Sequence, residues 1–165
     1  MPVQSEGHTY RRGLLMLYRN ILLVIHIAAV GAWFGANIVQ AVVPGLLGPE
    51  SAAASAWFRV TEKMSKTLYI PAGVTVLVTG ILLVLNSEIY GFGTMFVTIG
   101  FFAVIIGAVL GSVVFGPKSR AIADALDAGD VSLADRLRAS TGGFGLLDTF
   151  VVLFTIFAMV AKLGV

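Results

Sequence analysis

The stretch NILLVIHIAAVGAWFGANIVQAVVPGLLGP, which covers residues 20–49, contains no Asp, Glu, Lys or Arg. A run of about 20 predominantly apolar residues is long enough to cross a bilayer as an α-helix. A helix is also the natural structure in lipid, because every backbone polar group there needs a hydrogen-bond partner within the protein. The stretch therefore predicts a first membrane-spanning helix over residues 20–43.

Three further stretches carry almost no charge, and the last of them is interrupted only by Asp148. They predict membrane-spanning helices over residues 67–86, 93–115 and 144–163. Helices that follow one another through short connections run antiparallel. The expected fold is therefore an all-α membrane protein, in which residues 1–165 form a single antiparallel bundle of four transmembrane helices.

The composition of the whole chain agrees with this prediction. Of its 165 residues, 58% are hydrophobic and only 12% are charged, whereas roughly 25% of the residues in a soluble domain are charged. So small a charged share excludes an ordinary soluble domain, a disordered chain and a nucleic-acid-binding module. The absence of cysteine excludes disulfides, iron–sulfur clusters and covalently attached haem. We therefore expect the lipid bilayer, and no nucleic acid, as a partner.

The connection before the second span predicts an amphipathic helix. Within residues 51–66, apolar or uncharged side chains recur at helical spacing opposite a charged face, at Trp57, Val60, Thr61 and Met64. That pattern is typical of a helix whose apolar face lies in the headgroup boundary of a membrane.

The connection between the third and fourth spans, residues 117–139, predicts polar helical structure. Pro117 favours the start of a helix and Gly129 favours its end. Ser132 with Asp135 then predicts a capping box at the start of another short helix.

The distribution of Lys and Arg predicts an orientation. The connections 48–66 and 117–139 carry seven of these residues, and the segments on the other side carry four: Arg11, Arg12, Arg19 and Lys162. Cytoplasmic segments of membrane proteins are enriched in Lys and Arg. The expected orientation has both connections in the cytoplasm and both termini outside.

Most of the polar residues at membrane depth lie on the first span. Arg19, His26, Trp33 and Gln40 recur every seven residues, and Asn37 lies four residues after Trp33, so all five share one helix face. Polar groups at membrane depth usually face the interior of the bundle. This face is therefore expected to look inward.

An antiparallel bundle sorts these polar groups by depth. His26 is expected in the same leaflet as Met16, Met95, Met159 and Lys162. Asn37 and Gln40 are expected in the other leaflet, with Tyr69, Asp148 and Thr149. Because the fourteen residues from His26 to Gln40 cover roughly 21 Å of helix, two separate polar clusters are predicted, and His26 and Asp148 are not expected to touch.

The cluster around His26 is the candidate cofactor site. Histidine is a common axial ligand of haem, and a b-type haem there would be bound by His26 and Met159, beside Trp33 and Lys162. Methionine thioethers suit Cu(I), so His26, Met95 and Met159 are the candidate ligands of a copper ion. The alternatives are a neutral His26 that forms a hydrogen bond to a neighbouring helix, and a role in proton transfer.

Asp148 is the only acidic residue within a predicted span. Near the start of the fourth span it is expected to cap that helix, after the glycine-rich entry at residues 141–145, or to pair with Lys66 or Lys118. A proton relay is the alternative role.

Two pairs of glycines stand four residues apart, Gly31 with Gly35 and Gly107 with Gly111. Small residues at this spacing let membrane helices approach closely. The two interpretations are packing within the monomer, and contact with a second copy of the chain through one of these glycine faces.

Leu22-Leu23-Val24-Ile25-His26 followed by Trp33-Phe34-Gly35 resembles the first-span pattern of the copper-resistance D-like membrane proteins. The similarity continues through Tyr69-Ile70-Pro71, Val78-Thr79-Gly80-Ile81 and the segment from Met159 to Gly164. The order of these motifs is similar to an uncharacterised bacterial family of four-span integral membrane proteins, a domain of unknown function related to the D-like group. The resemblance covers nearly the whole chain and implies a four-span fold in the bacterial cytoplasmic (inner) membrane.

A more distant similarity links Glu62-Lys63-Met64 through Thr79-Gly80 to the second-span entry of the J-type protoporphyrinogen oxidases, four-span proteins that bind b-type haem. By this resemblance His26 matches a histidine of that family. This chain has Leu23 where the family usually has a lysine, and Val42 and Val43 where it has a further histidine.

No catalytic motif of a known hydrolase, kinase or zinc protease is present in the sequence. The leading interpretation is a non-enzymatic membrane component, or a subunit of a larger assembly, with a pocket around His26 for b-type haem or copper. The alternative is a haem-dependent porphyrin oxidase or a copper transporter.

Overall fold

The computed structural model describes residues 3–48 and 52–165, with side chains from Tyr10 onward except that of Arg12. The side chain of Arg12, which entered the count of positive charges, and residues 49–51 of the connection 48–66 therefore lie outside the described part. The helices are α1 (Val3–Leu46), α2 (Ala52–Met64), α3 (Ile70–Leu85), α4 (Met95–Val109), α5 (Gly116–Asp127) and α6 (Val131–Val160). The described residues contain no strand, and the all-α prediction is confirmed.

Two short π-helical segments join these helices into longer runs. Ser65–Tyr69 connects α2 to α3, and Leu110–Phe115 connects α4 to α5. Four helical runs in the described part are long and apolar enough to cross a membrane: Gly13–Leu46, Ala52–Leu85, Met95–Asp127 and Val131–Val160. The chain is therefore a multi-pass membrane protein, and the predicted four-helix membrane bundle is confirmed.

The helices run well past the predicted ends of the second, third and fourth spans. The second span starts at Ala52 as a continuation of α2, the third continues into α5, and the fourth starts at Val131. The glycines of residues 141–145 lie inside α6 and do not interrupt it. Glycine is tolerated inside membrane helices because neighbouring groups satisfy the backbone.

The start of α6 differs from the predicted capping box. Asp130 is the N-cap residue, and its carboxylate accepts the backbone N–H of Leu133 at 2.9 Å. Ser132 donates to the same carboxylate at 2.9 Å, and Asp135 pairs with Arg138 at 3.4 Å. Asp is as good an N-cap as Ser, and here it stands directly before the helix. Gly129, with φ +74°, sits in the turn after α5 as predicted.

The amphipathic helix α2 packs against α5. Its buried residues are Ala54, Ser55, Phe58 and Thr61, and Phe58 joins Ile122, Ala123, Ala125 and Ala134 in an apolar cluster. The predicted face is therefore confirmed at Thr61, which is buried, and wrong at Val60, which is exposed. Small alanine side chains on α5 and α6 give Phe58 a closer apolar surface within the protein than a headgroup region offers.

The four membrane runs surround a shared interior. α1 packs against α3 and α6, α4 packs against α6, and α3 lies beside α4. Large apolar side chains such as Val24, Val74, Phe102 and Phe150 are exposed on the outside, as expected for surfaces that face lipid.

The end of the chain folds back onto α4. After α6 the backbone turns through Lys162 (φ 51°) and Gly164 (φ 86°), and the carbonyl of Leu163 accepts the N–H of Phe96 at 3.2 Å. A Cβ atom at Gly164 would lie 2.6 Å from Cβ of Met95, so only glycine fits there. This turn fixes Lys162 beside the start of α4.

Candidate functional site

A cavity of about 470 Å³ lies between α1, α3, α4 and α6. Most of its lining is apolar, and it includes the aromatic side chains of Trp33, Tyr90, Phe96 and Phe101. Cofactor and small-molecule pockets in proteins range over roughly 300–1,000 Å³ and combine apolar walls with a few polar groups. The cavity therefore has the size and lining of a ligand site.

His26 lines this cavity and is only 7% exposed. Its Nδ1 lies 2.9 Å from Oγ1 of Thr79 on α3. The Thr79 hydroxyl donates its single proton to backbone carbonyls of its own helix, most closely to that of Thr75 at 2.5 Å. With that proton directed to Thr75, Nδ1 donates to Thr79, and a neutral His26 then carries its lone pair on Nε2.

Gly80 allows α3 to approach the imidazole of His26. A Cβ atom at Gly80 would lie 3.4 Å from Cε1 of His26, at the lower limit of an ordinary van der Waals contact. Thr79 and Gly80 were not predicted from the sequence as residues of this site. The sequence feature that could have indicated them is a hydroxyl residue beside a glycine within an otherwise apolar span.

Two cationic side chains also line the cavity. Arg19 lies on the His26 face of α1, seven residues earlier and thus about 10 Å along the helix. Lys162 lines the cavity from the turn after α6, with its Nζ 5.9 Å from the centre of the Tyr90 ring. The cavity is therefore apolar in its walls and carries positive charge.

The structure brings only one of the candidate methionines into this cavity. Met159 lines it and packs against α4, where a Cβ atom at Gly100 would lie 2.7 Å from Cε of Met159. Met95 is 55% exposed and Met16 is also exposed, and neither lines the cavity. No group of three or more His, Cys, Asp or Glu side chains that could hold a metal ion occurs among the described residues.

Trp33 forms the boundary between this cavity and a second polar region. Its ring packs where Gly107 has no side chain, and a Cβ atom there would overlap the indole. Its Nε1 donates to Oδ2 of Asp148 at 3.2 Å, and its ring meets that of Tyr69 edge-on at 6.3 Å. The close packing of Trp33 on Gly107 confirms that this glycine serves helix packing within one chain. Gly31 and Gly35, in contrast, are exposed and meet no other side chain.

The second polar region is a connected hydrogen-bond network. Gln40 donates to the Tyr69 hydroxyl at 2.9 Å, Tyr69 donates to Oδ1 of Asn37 at 2.8 Å, and Asn37 donates to Oδ2 of Asp148 at 2.7 Å. These four residues come together as predicted, and apart from the cluster at His26. Thr149 does not join them, because its hydroxyl donates to the carbonyl of Gly145.

The predicted role of Asp148 as a helix cap is wrong. Asp148 lies well inside α6, which begins at Val131. Its carboxylate is 3% exposed and accepts from Trp33 and Asn37 rather than from Lys66 or Lys118. Lys118 instead donates to Ser140 at 2.8 Å. The cause is the uninterrupted helix through residues 141–145, which moves Asp148 away from the helix end and into the bundle.

Comparisons of the chain with family models, with curated proteins and with solved structures find no match. The side chains of the two polar regions are therefore the basis for proposing a function.

Proposed function

We propose that this membrane protein binds a b-type haem in the cavity beside His26 and serves as a non-enzymatic component of a bacterial cytoplasmic membrane. The observation that carries the proposal is the fixed orientation of His26. Thr79 occupies Nδ1, so that Nε2 is the nitrogen with a lone pair. Histidine ligands of metal cofactors commonly have their other ring nitrogen fixed in this way by a neighbouring group.

The other residues of the cavity also fit a haem. The apolar walls suit the macrocycle, and Arg19 and Lys162 suit its two carboxylates. Met159 lines the same cavity, and its thioether would provide a further ligand to the haem iron. When bound, a haem supplies one-electron chemistry, while the chain's own residues bind it, orient His26 and exclude water.

An absorption spectrum of the purified protein supplied with haem tests the proposal. We expect a Soret band that disappears in His26→Ala and persists in His8→Ala, which changes the only other histidine of the chain. A protein without a Soret band, or with the same band after His26→Ala, contradicts haem ligation by His26.

Copper is the second candidate, because His26 and Met159 line one cavity. If copper is the ligand, elemental analysis finds it in the purified protein. The metal is then lost in His26→Ala and Met159→Leu and retained in Met95→Leu, because Met95 does not line the cavity. A variant that loses copper through Met95→Leu alone contradicts this ligand set.

The proposal includes a helical partner on the exposed face of Gly31 and Gly35, either a second copy or another membrane subunit. Both glycines are exposed, and a Cβ atom added to either would meet no described atom within 4 Å. They stand four residues apart, which suits close approach by another helix. Sedimentation equilibrium in detergent is expected to show a dimer that Gly35→Leu weakens and Gly13→Leu leaves intact. If the protein is a monomer at every concentration tested, a second copy of the chain is not the partner of this face.

A further inference from the structure

A second, small cavity lies on the other side of Trp33, beside Asp148. Its volume of about 20 Å³ is enough for one water-sized occupant. Its polar lining comes from five side chains on four different segments: Gln40, Thr61, Ser65, Tyr69 and Asp148. Both π-helical segments border it, through Ser65 and Tyr69 on one and Gly111 and Phe115 on the other. Such irregular turns inside helices often mark functional sites.

Thr61 indicates that this cavity has a polar occupant. The residue is only 6% exposed, and its hydroxyl oxygen is buried without a hydrogen-bond partner among the described residues. Buried polar atoms of native proteins are nearly always satisfied, by the protein or by a bound water or ion. A hydroxyl on the wall of a cavity of this size therefore points to a small group that contacts it.

Asp148 indicates the charge of the occupant. Its carboxylate is buried at membrane depth, and no ion pair with Lys, Arg or His is formed by it within the described part of the chain. The two hydrogen bonds from Trp33 and Asn37 both end on Oδ2. An acidic group in a membrane is costly without a positive partner. One monovalent cation beside Asp148 makes the site neutral.

The chemistry and size of the site narrow the choice of cation. Carboxylate, hydroxyl and amide oxygens suit hard ions such as those of the alkali and alkaline-earth metals. A single carboxylate neutralises one positive charge, and a cavity for one water-sized occupant has no room for an ion with its hydration shell. We propose that the cavity between Asp148 and Thr61 binds one dehydrated alkali-metal cation, for which Na⁺ is the probe.

Trp33 provides a direct reporter of this site, because its indole N–H donates to Asp148. The chain has two tryptophans, so Trp57→Phe leaves Trp33 as the only one. In this variant, in detergent, NaCl is exchanged for choline chloride at constant ionic strength while the fluorescence is recorded. We expect a saturable change of Trp33 emission that depends on Na⁺ and does not occur with choline.

Two further variants, each made in the Trp57→Phe protein, test whether the Na⁺-dependent change of Trp33 emission arises at this cavity. Asp148→Asn is expected to abolish it, and Thr61→Val to weaken the apparent Na⁺ affinity by about tenfold, the effect of losing one polar contact. Thr149→Val is the matched control, because that hydroxyl faces the carbonyl of Gly145 on the same helix as Asp148. It is expected to leave the Na⁺ response unchanged.

Three results overturn the proposal. The first is an equal emission change in NaCl and choline chloride, and the second is an undiminished Na⁺ response in Asp148→Asn. The third is a pH-dependent emission that is independent of Na⁺, which assigns a protonated carboxyl group to Asp148 instead. If Asp148→Asn does not give a monodisperse protein, Thr61→Val decides, because an unchanged Na⁺ affinity in that variant contradicts the site.

Discussion

At the scale of single residues, the pairing of His26 with Thr79 engages Nδ1 and leaves Nε2 as the imidazole nitrogen available to the proposed ligand. The pair depends on three adjacent features of α3: the Thr75 carbonyl that takes the hydroxyl proton, the hydroxyl itself, and the missing side chain at Gly80. The sequence predicted that His26 faces the bundle, because it shares the spacing of Trp33 and Gln40. It did not predict the partner, since the helix register that brings Thr79 to His26 depends on packing.

Replacing Thr79 therefore tests how His26 is oriented while it keeps the His26 imidazole that would bind the haem iron. Thr79→Val removes the acceptor for Nδ1, and we expect haem affinity to fall by roughly 10–100-fold, as for other groups that orient metal-bound histidines. Titration of the apoprotein with haem, followed by its Soret absorbance, measures this. Thr75→Val is the control, because only the backbone carbonyl of Thr75 takes part. An equal loss in both variants contradicts the orienting role.

A second residue-scale prediction concerns Gly107. A Cβ atom there would overlap the buried ring of Trp33, whereas one at Gly111 meets nothing within 4 Å. We expect Gly107→Ala to destabilise the protein by about 1–3 kcal/mol, as overpacking does, and to lower its Tm. Gly111→Ala is expected to leave Tm unchanged or slightly raised. Equal Tm values for the two variants contradict the close packing of Trp33 on α4.

At the scale of helices, the charge-free stretches predicted how many membrane runs there are but not where they end. Asp130 caps the start of α6, and π-helical turns connect α2 to α3 and α4 to α5 without a break in the helical run. Glycines and prolines are weaker stop signals in lipid than in water, because backbone groups exposed to lipid find no other partners. The predicted position of Asp148 near the start of the fourth helix was wrong for this reason, because α6 begins at Val131.

The Asp130 cap predicts a pH dependence at the start of α6. The backbone N–H of Leu133 and the hydroxyl of Ser132 hold the pKa of the Asp130 carboxyl below its usual range. A lowered pKa in the folded state stabilises the protein above the unfolded pKa of roughly 4, and this stabilisation is lost as the pH falls through the lowered value. We expect Asp130→Ala to lower Tm at pH 7.

The same variant provides its own control at low pH. The difference in Tm between Asp130→Ala and the parent protein is expected to shrink as the pH falls below about 4. Asp135→Ala, which removes the exposed i, i+3 partner of Arg138, is expected to have little effect at either pH. A Tm difference that stays constant down to pH 2 contradicts a role for the ionised carboxylate.

At the scale of the whole molecule, the structure places polar groups at two depths along one face of α1. His26 and its cavity lie toward the end that carries Arg19 and Lys162, and the Asp148 network lies toward the end formed by α2 and α5. The seven-residue spacing on the first span and the antiparallel arrangement predicted both clusters. The sequence did not predict the exposure of Met95, because leaflet depth alone does not fix which way a side chain points.

The proposed orientation is testable because the chain has no cysteine. Glu88→Cys adds a thiol to the exposed turn between α3 and α4, and Ala128→Cys adds one to the exposed turn between α5 and α6. In intact cells, a membrane-impermeant maleimide is expected to label Glu88→Cys readily, and to label Ala128→Cys only after permeabilisation. The reverse pattern places the two long connections outside.

Trp33 belongs to the walls of both cavities and touches Asp148 through its indole nitrogen. Any occupant that shifts this ring changes the neighbouring site as well. Thermodynamic linkage then makes the influence mutual: the factor by which one ligand alters the affinity of the other is the same in both directions. Trp33 separates the two cavities and, because it contacts both, can also couple the binding of a ligand in one to the binding of a ligand in the other.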